Sequence, residues 1–122
     1  MSLELLKEFA AAFNRHDTDT LMGMMTEDCV FDTSAGDDVF GTRYVGAAAV
    51  REGFETVFAA FPDAQWNDDV HFIAGDRAVT EWRFTGTSAD GKRTEVHGCD
   101  IFTLKDGKIH IKDSYRKNRP PF

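Results

Sequence analysis

Asp100 is the residue whose place in the sequence points most directly to chemistry. Residues 94–104 alternate as a β-strand does, and one face of that strand carries Val96, Asp100, Phe102 and Leu104. A carboxylate on this more apolar face must be paired, solvated in a cavity, or protonated. Solvation or protonation suits a general acid or a hydrogen-bond donor, whereas a salt bridge to a neighbouring strand makes Asp100 structural. Alternation alone leaves both interpretations open.

Histidines offer the other candidates for proton transfer, since their side chains titrate nearest to neutral pH. His71 and His97 both lie in predicted strands. A lone histidine on a strand is more often a surface or interface residue than a catalytic one. In the alternation, His97 falls on the face opposite Asp100 unless Gly98 forms a bulge.

Composition and charge exclude several classes of function. The 122 residues include 14 Lys plus Arg and 21 Asp plus Glu, which gives a formal net charge of −7. Such a chain is not attracted to polyphosphate, so no nucleic-acid partner is expected. The apolar runs are far shorter than the roughly 20 residues of a membrane span. No signal-peptide pattern opens the sequence, and a cytoplasmic protein without a membrane partner is expected.

The cysteines and histidines do not suggest a metal or a disulfide. Cys29 and Cys99 are far apart and lack the spacing of metal ligands, which is typical of small core residues in a reducing compartment. The four histidines are scattered, with no pair at the spacing of ligands on one helix or strand. We therefore expect no metal site and no cofactor.

Helical spacing marks three segments. Ser2 is a plausible N-cap for a first helix that ends near Asn14. Asp17 can cap a short second helix whose buried face includes Met24 and Met25. A third helix begins at Ala47 and is ended by Pro62, and its apolar face is rich in Phe.

The remaining chain has the period of strands. Residues 29–31 form a short strand, a loop rich in Gly and Asp follows at 33–38, and four strands come after Pro62, separated by turns at Gly75, Gly91 and Gly107. Helices on one side of such strands predict an α+β fold over residues 1–122. Three helices would cover a strongly curved antiparallel sheet, which gives a cone whose open end is a natural ligand pocket.

Three stretches carry a resemblance to a known family. They are residues 96–109, which include the Asp106–Gly107 turn, the turn at 14–17 and the strand entry at 27–31. They resemble the nuclear transport factor two-like superfamily, most closely its SnoaL-like polyketide cyclase group, with ketosteroid isomerase as a more distant relative. Members include isomerases, cyclases, epoxide hydrolases, dehydratases and domains that bind without catalysis. The resemblance implies the cone fold and a homodimer packed through the outer face of the sheet.

The resemblance transfers unevenly to individual residues. Asp100 is similar in position to the cavity acid of ketosteroid isomerase and to the acid/base Asp of the cyclases. The isomerase's general base falls near Thr33 and its oxyanion-hole Tyr near Phe9, so both groups are missing here. The cyclases' His falls in the hairpin at 87–90, which contains none. Ketosteroid isomerization is therefore not expected.

The resemblance also directs one face of the last strand into the cavity. That face carries Lys112, Ser114 and Arg116. If Lys112 or Arg116 lies beside Asp100, the pair suits orienting a polar substrate better than donating a proton. Asp32 reaches the mouth of the cone or points outward. The aromatic residues that could line an apolar pocket, or simply fill the core, are Phe9, Phe13, Phe31, Phe54, Phe58, Trp82 and Phe102. Trp82 is the strongest of these because its indole N–H needs a partner.

These observations predict a protein that binds a small, mostly apolar, carbonyl-bearing molecule in the cone. If it is an enzyme, we expect cofactor-free acid/base chemistry of the cyclase or isomerase type, with Asp100 as acid/base. The alternative is a non-catalytic ligand-binding or dimerization module in which Asp100 is structural. Epoxide hydrolysis would need Asp100, Arg116 and Asp32 to converge on one water.

Overall fold

A computed structural model describes residues 2–122, so Met1, the first residue of the domain expected over 1–122, lies outside them. The helices are α1 (Leu3–Asn14), α2 (Thr18–Gly23) and α3 (Ala47–Ala60). Asp17 caps α2 as expected, accepting a hydrogen bond from the Thr20 N–H at 3.2 Å. Met25 does not belong to the buried face of α2, because the first strand begins there. No helix among the described residues is long and apolar enough to cross a membrane.

Six strands form one curved sheet that does not close into a barrel. They are β1 (Met25–Asp32), β2 (Arg43–Val45), β3 (Gln65–Ala74), β4 (Arg77–Thr87), β5 (Arg93–Lys105) and β6 (Lys108–Arg116). Their order is β2-β1-β6-β5-β4-β3, so the four long strands form the expected antiparallel meander. The α+β prediction is confirmed. The sheet is not purely antiparallel, however, because β1 pairs parallel with β6, and the three-residue β2 has no counterpart in the prediction.

The helices cover the concave face of this sheet, which we call the inner face. Phe9 and Phe13 of α1 and Phe54 of α3 are buried against Phe102 of β5 and against one another. These contacts are tilted or edge-to-face, which is the favourable geometry for aromatic pairs. The aromatic core therefore fixes the helices relative to β5 and β6, the strands that carry the charged inner residues.

Two backbone features decide which side chains point inward. In β3 the register shifts between Asn67 and Val70, where Asp68 has φ 58°, and His71 beyond this bulge is only partly exposed. In β5, Gly98 faces Trp82 of β4, and a Cβ there would lie 2.6 Å from the indole ring. Glycine thus lets Trp82 lie flat against β5, with its indole N–H directed at Asp100.

Candidate functional site

A cavity of about 220 Å³ lies between α3 and the inner face of the sheet. Aromatic residues are the largest group in its wall, and both of its charged residues come from β6. Six of the residues singled out from the sequence line it: Phe13, Phe31, Trp82, Lys112, Ser114 and Arg116. The cavity therefore joins an apolar wall to a strip of cationic and hydroxyl groups.

Lys112 is the innermost charged group of this wall and is 4% exposed. Its Nζ donates to Asp100 Oδ1 at 2.8 Å and to Ser114 Oγ at 2.8 Å. The same Nζ lies 4.7 Å from the centre of the Phe13 ring and 4.9 Å from that of Phe31, where the negative ring faces stabilise a cation. An ammonium group has three N–H donors, so one remains for a further acceptor.

Asp100 lies behind Lys112 and does not line the cavity. It is 6% exposed, and three donors converge on its carboxylate: Lys112 Nζ and Ser114 Oγ at Oδ1, and Trp82 Nε1 at Oδ2. The Ser114 hydroxyl is 2.6 Å from Oδ1, so Lys112, Ser114 and Asp100 form a closed triangle. Among the described residues, no buried side-chain polar atom lacks a partner. Of the states that the sequence left open for Asp100, the structure shows the paired one.

Arg116 occupies the mouth of the cavity. Its guanidinium lies 5.3 Å from the centre of the Phe84 ring, and it forms no ion pair with any of residues 2–122. The side chain reaches solvent, yet the protein atoms around it lower the pKa of Arg116 by burial alone. A guanidinium stays charged under all ordinary conditions. Arg116 is thus a cation at an apolar opening with no carboxylate to neutralise it.

The other predicted site residues lie elsewhere. Phe54 is fully buried in the core, and Phe58 stacks on His16 with ring centres 4.3 Å apart. Phe9 and Phe102 lie with Asp100 around a separate small cavity of about 20 Å³. These four aromatic residues belong to the core or to the space behind Lys112, and the main cavity is lined without them.

Asp32 is held on the opposite side of the sheet. Arg43 binds it with two hydrogen bonds, Nε to Oδ1 at 2.8 Å and Nη2 to Oδ2 at 2.9 Å. Asp32 lines a second pocket with Asp113 and Tyr115 and is not among the residues that line the aromatic cavity. The structure therefore does not bring Asp32, Asp100 and Arg116 to one point, as epoxide hydrolysis would require.

Several cavity residues were not foreseen. Trp66 and Phe84 are cross-strand partners on the inner face and pack at 5.3 Å, and the alternation around Trp82 could have indicated Phe84. Tyr44 belongs to β2, which has no recognisable pattern of its own. Gly53 of α3 leaves room for Tyr44, since a Cβ there would be 2.8 Å from the ring. Thr33 lines the cavity and donates its hydroxyl to the Ala35 carbonyl oxygen.

The fold and site together define a small α+β domain whose curved sheet and helices enclose an aromatic cavity with polar groups on one strand. The sequence matches the model of the SnoaL-like domain over residues 6–110, and the chain belongs to that family. No curated protein is similar enough to the sequence to count as a match.

Solved structures share this fold over nearly the whole chain. A candidate polyketide cyclase from Xanthomonas campestris is 24% identical, with a TM-score of 0.82 over 95% of this chain and 89% of that one. An NTF2-like protein of unknown function from Mesorhizobium loti is 28% identical, with a TM-score of 0.76 over 95% and 90% of the two chains. TerC, crystallized with polyporic acid, is 20% identical, with a TM-score of 0.80 over 94% and 90%.

Proposed function

We propose that this chain binds a small, largely apolar molecule that carries an acidic or carbonyl oxygen, and that the cavity beneath α3 is the binding site. The observation that carries this proposal is the pair of cations, Lys112 and Arg116, in an otherwise uncharged cavity rich in aromatic residues. Their position is notable because the chain as a whole has a net charge of −7. A cationic cavity in an acidic protein favours an anionic ligand.

The charge count at the cavity favours a single negative charge on the ligand. Asp100 neutralises Lys112 from behind, whereas Arg116 has no carboxylate partner within residues 2–122. The remaining N–H of Lys112 and the Arg116 guanidinium are each able to donate to an oxyanion or to a polarised carbonyl. Such bonds are stronger away from bulk water, as at the buried Nζ of Lys112.

The size and wall of the cavity restrict the apolar part of the ligand. Binding sites for drug-sized ligands usually span about 300–1,000 Å³. The cavity here, at about 220 Å³, favours a molecule of one or two rings over a larger polycyclic one. Walls formed by Trp66, Trp82 and Phe84 suit a flat ring, since aromatic pairs pack in stacked or edge-to-face geometries.

Binding is better supported than acid/base catalysis by Asp100. A general acid or base must come within hydrogen-bond reach of the proton it moves, or act through one water. Asp100 is separated from the cavity by Lys112, and the described residues that line the cavity include no carboxylate and no imidazole. The cocrystal of TerC with polyporic acid is an instance of this fold crystallized with an organic acid.

Calorimetric titration with 2-naphthoate tests the proposal, with the neutral 2-naphthamide as the matched control ligand. We expect the acid to bind more tightly by roughly tenfold or more, because hydrogen bonds to charged groups contribute about 1.5–3 kcal/mol. Arg116→Gln should remove most of this preference. Arg77→Gln changes an exposed arginine away from the cavity and should leave it intact. Equal affinity for acid and amide, or no effect of Arg116→Gln, contradicts the proposal.

We also propose that a second copy of the chain covers the outer face of the sheet. Val70, Phe72 and Tyr115 are 53%, 50% and 52% exposed there, an apolar surface that favours association. A groove of about 530 Å³ runs beside Val70 and Tyr115. Sedimentation velocity should show a dimer, and Phe72→Glu should shift it to monomer. A monomer at all accessible concentrations of the unchanged chain contradicts this proposal.

A further inference from the structure

A line of polar side chains crosses the structure behind the cavity. It starts at Asp69, whose side chain is 42% exposed, and passes to His71, whose side chain is 5% exposed. His71 Nε2 is 2.6 Å from Asp69 Oδ2, and His71 Nδ1 is 2.8 Å from Thr80 Oγ1. Thr80 is the cross-strand partner of Asp100. These contacts connect a solvated carboxylate to the neighbourhood of the buried ion pair.

The line is interrupted by a small cavity of about 20 Å³. Thr80, Trp82, Asp100 and Lys112 contribute its polar lining, and Phe9 and Phe102 contribute to its apolar lining. A buried water needs about 10–15 Å³ and two to four polar partners. The space is thus large enough for one water molecule and too small for any organic ligand.

The hydrogen-bond capacities determine how such a water would be held. Ionised Asp69 accepts a bond from His71 Nε2–H, so Nδ1 of a neutral imidazole accepts the hydroxyl hydrogen of Thr80. The oxygen of Thr80 is then free to accept on the cavity side. Asp100 Oδ2 accepts one bond, from Trp82, and has a second lone pair. A water has two hydrogens for these two acceptors.

We propose that this small cavity is a binding site for one structural water, which donates to Thr80 Oγ1 and Asp100 Oδ2 and completes a hydrogen-bonded chain from Asp69 to Lys112. His71 and Thr80 are then positioning residues. Their hydrogen bonds orient the water, the water orients the Asp100 carboxylate, and Asp100 in turn fixes the position of the Lys112 ammonium in the main cavity. Only the effect on ligand affinity rests on the proposed function; the water and the state of His71 do not.

Thr80→Val is the informative change, since it keeps the shape of the side chain and removes the hydroxyl. A high-resolution crystal structure should show the water in the unchanged chain and in Thr80→Ser, but not in Thr80→Val. The ¹⁵N resonance of His71 Nδ1 should report an accepted hydrogen bond in the first two proteins and its loss in the third. Thr94→Val makes the same chemical change at another buried threonine, outside the chain of bonds, and should alter neither signal.

Affinity for 2-naphthoate gives the functional readout. Thr80→Val should weaken binding by roughly two- to tenfold, the range that the loss of one hydrogen bond spans, with Thr80→Ser restoring it. The inference is wrong if the crystal structure of the unchanged chain shows no water in the small cavity. It is also wrong if the His71 Nδ1 resonance does not change in Thr80→Val. Failure of every protein to bind naphthoate, with the water and the His71 signal present, overturns the proposed function alone.

Discussion

The two faces of β6 hold charged groups in opposite ways. On the inner face, Lys112 and Ser114 close a triangle with Asp100, and the Lys112 and Asp100 side chains are 5% and 8% exposed. On the outer face, Asp113 is the register partner of Asp32 in the neighbouring strand. Asp32 forms its ion pair with Arg43, whose Nε–H donates to Asp32 Oδ1. The Arg43 side chain is 37% exposed and lies against the Phe40 ring.

The difference lies in how water reaches each group. Neither member of the inner pair can be solvated if its partner is lost, so each depends on the other. On the outer face Asp32 is itself buried, with its side chain 4% exposed, but its partner Arg43 is 37% exposed. Arg43 can therefore be solvated if Asp32 is replaced, which Lys112 cannot. The inner network is therefore the part of the molecule where charge, stability and the proposed ligand site are coupled.

The largest expected effect comes from breaking the inner pair. Asp100→Asn should lower the free energy of unfolding by about 3–5 kcal/mol, since it leaves a buried ammonium without its counter-charge. Replacing both partners with apolar residues, Asp100→Leu with Lys112→Met, should recover only part of that loss, because the Trp82 indole N–H would still lack its acceptor. Urea denaturation at fixed protein concentration measures both.

Asp32→Asn is the matched change on the outer face, where Arg43 can turn to solvent, and should cost less than Asp100→Asn. If Asp100→Asn and Asp32→Asn cost the same, the contrast between the two faces is wrong.

Gly98→Ala should lower the free energy of unfolding by an intermediate amount, because Gly98 is where the Trp82 ring packs closely against β5. The added Cβ would press on the Trp82 ring and on the Tyr115 backbone oxygen, and overpacking of this kind costs about 1–3 kcal/mol. The Trp82 fluorescence should change as the indole leaves Asp100. Gly23→Ala is the control, because nothing lies within 4 Å of a Cβ at that glycine. An unchanged Trp82 environment in Gly98→Ala would show that the close approach is not needed.

Replacing Asp113 should have the smallest effect on stability, and the direction in which this effect changes with pH follows from the pKa of Asp113. Burial raises the pKa of Asp113 above its usual 3.8, and the negative charge of Asp32 adds to this. The folded state therefore binds the proton more tightly than the unfolded state, and this contribution to stability is lost as pH rises through the raised pKa. Relative to the unchanged chain, Asp113→Asn should therefore become more stable as the pH rises from acidic to neutral. Thermal unfolding of both proteins from acidic to neutral pH measures this difference in stability. An advantage of Asp113→Asn that is larger at acidic than at neutral pH would contradict the prediction.

For β5, alternation indicates the face that carries Asp100. For β6, the family resemblance and not the alternation directs Lys112 and Ser114 inward, since the apolar Ile109 and Ile111 have the opposite parity. The structure places Asp100, Lys112 and Ser114 together on the inner side. Alternation describes one strand at a time, however, and contains nothing about which residue of β6 stands opposite Asp100. The choice between a free acid and an ion pair depends on the β5–β6 register, which pairs Asp100 with Ser114.

Two features of the fold had no signal that could be read from the sequence. The orientation of His71 depends on the bulge at Asn67–Val70, where Asp68 has a positive φ. Aspartate tolerates this conformation, but nothing in the sequence shows that this particular aspartate adopts it. The strand β2 is three residues long and gains its pairing from β1, so Tyr44 reaches the cavity through a long-range contact rather than a local pattern. Both depend on tertiary context.

A crystal structure of the chain with 2-naphthoate would show directly whether the cavity beneath α3 is the binding site. We expect the naphthalene ring in the aromatic cavity, with the carboxylate within hydrogen-bond distance of Lys112 Nζ or the Arg116 guanidinium. Asp100 should still be bound to Lys112, Ser114 and Trp82 and should not touch the ligand. A naphthoate bound elsewhere, or a ligand in direct contact with an Asp100 that has released Lys112, would contradict the proposed binding site.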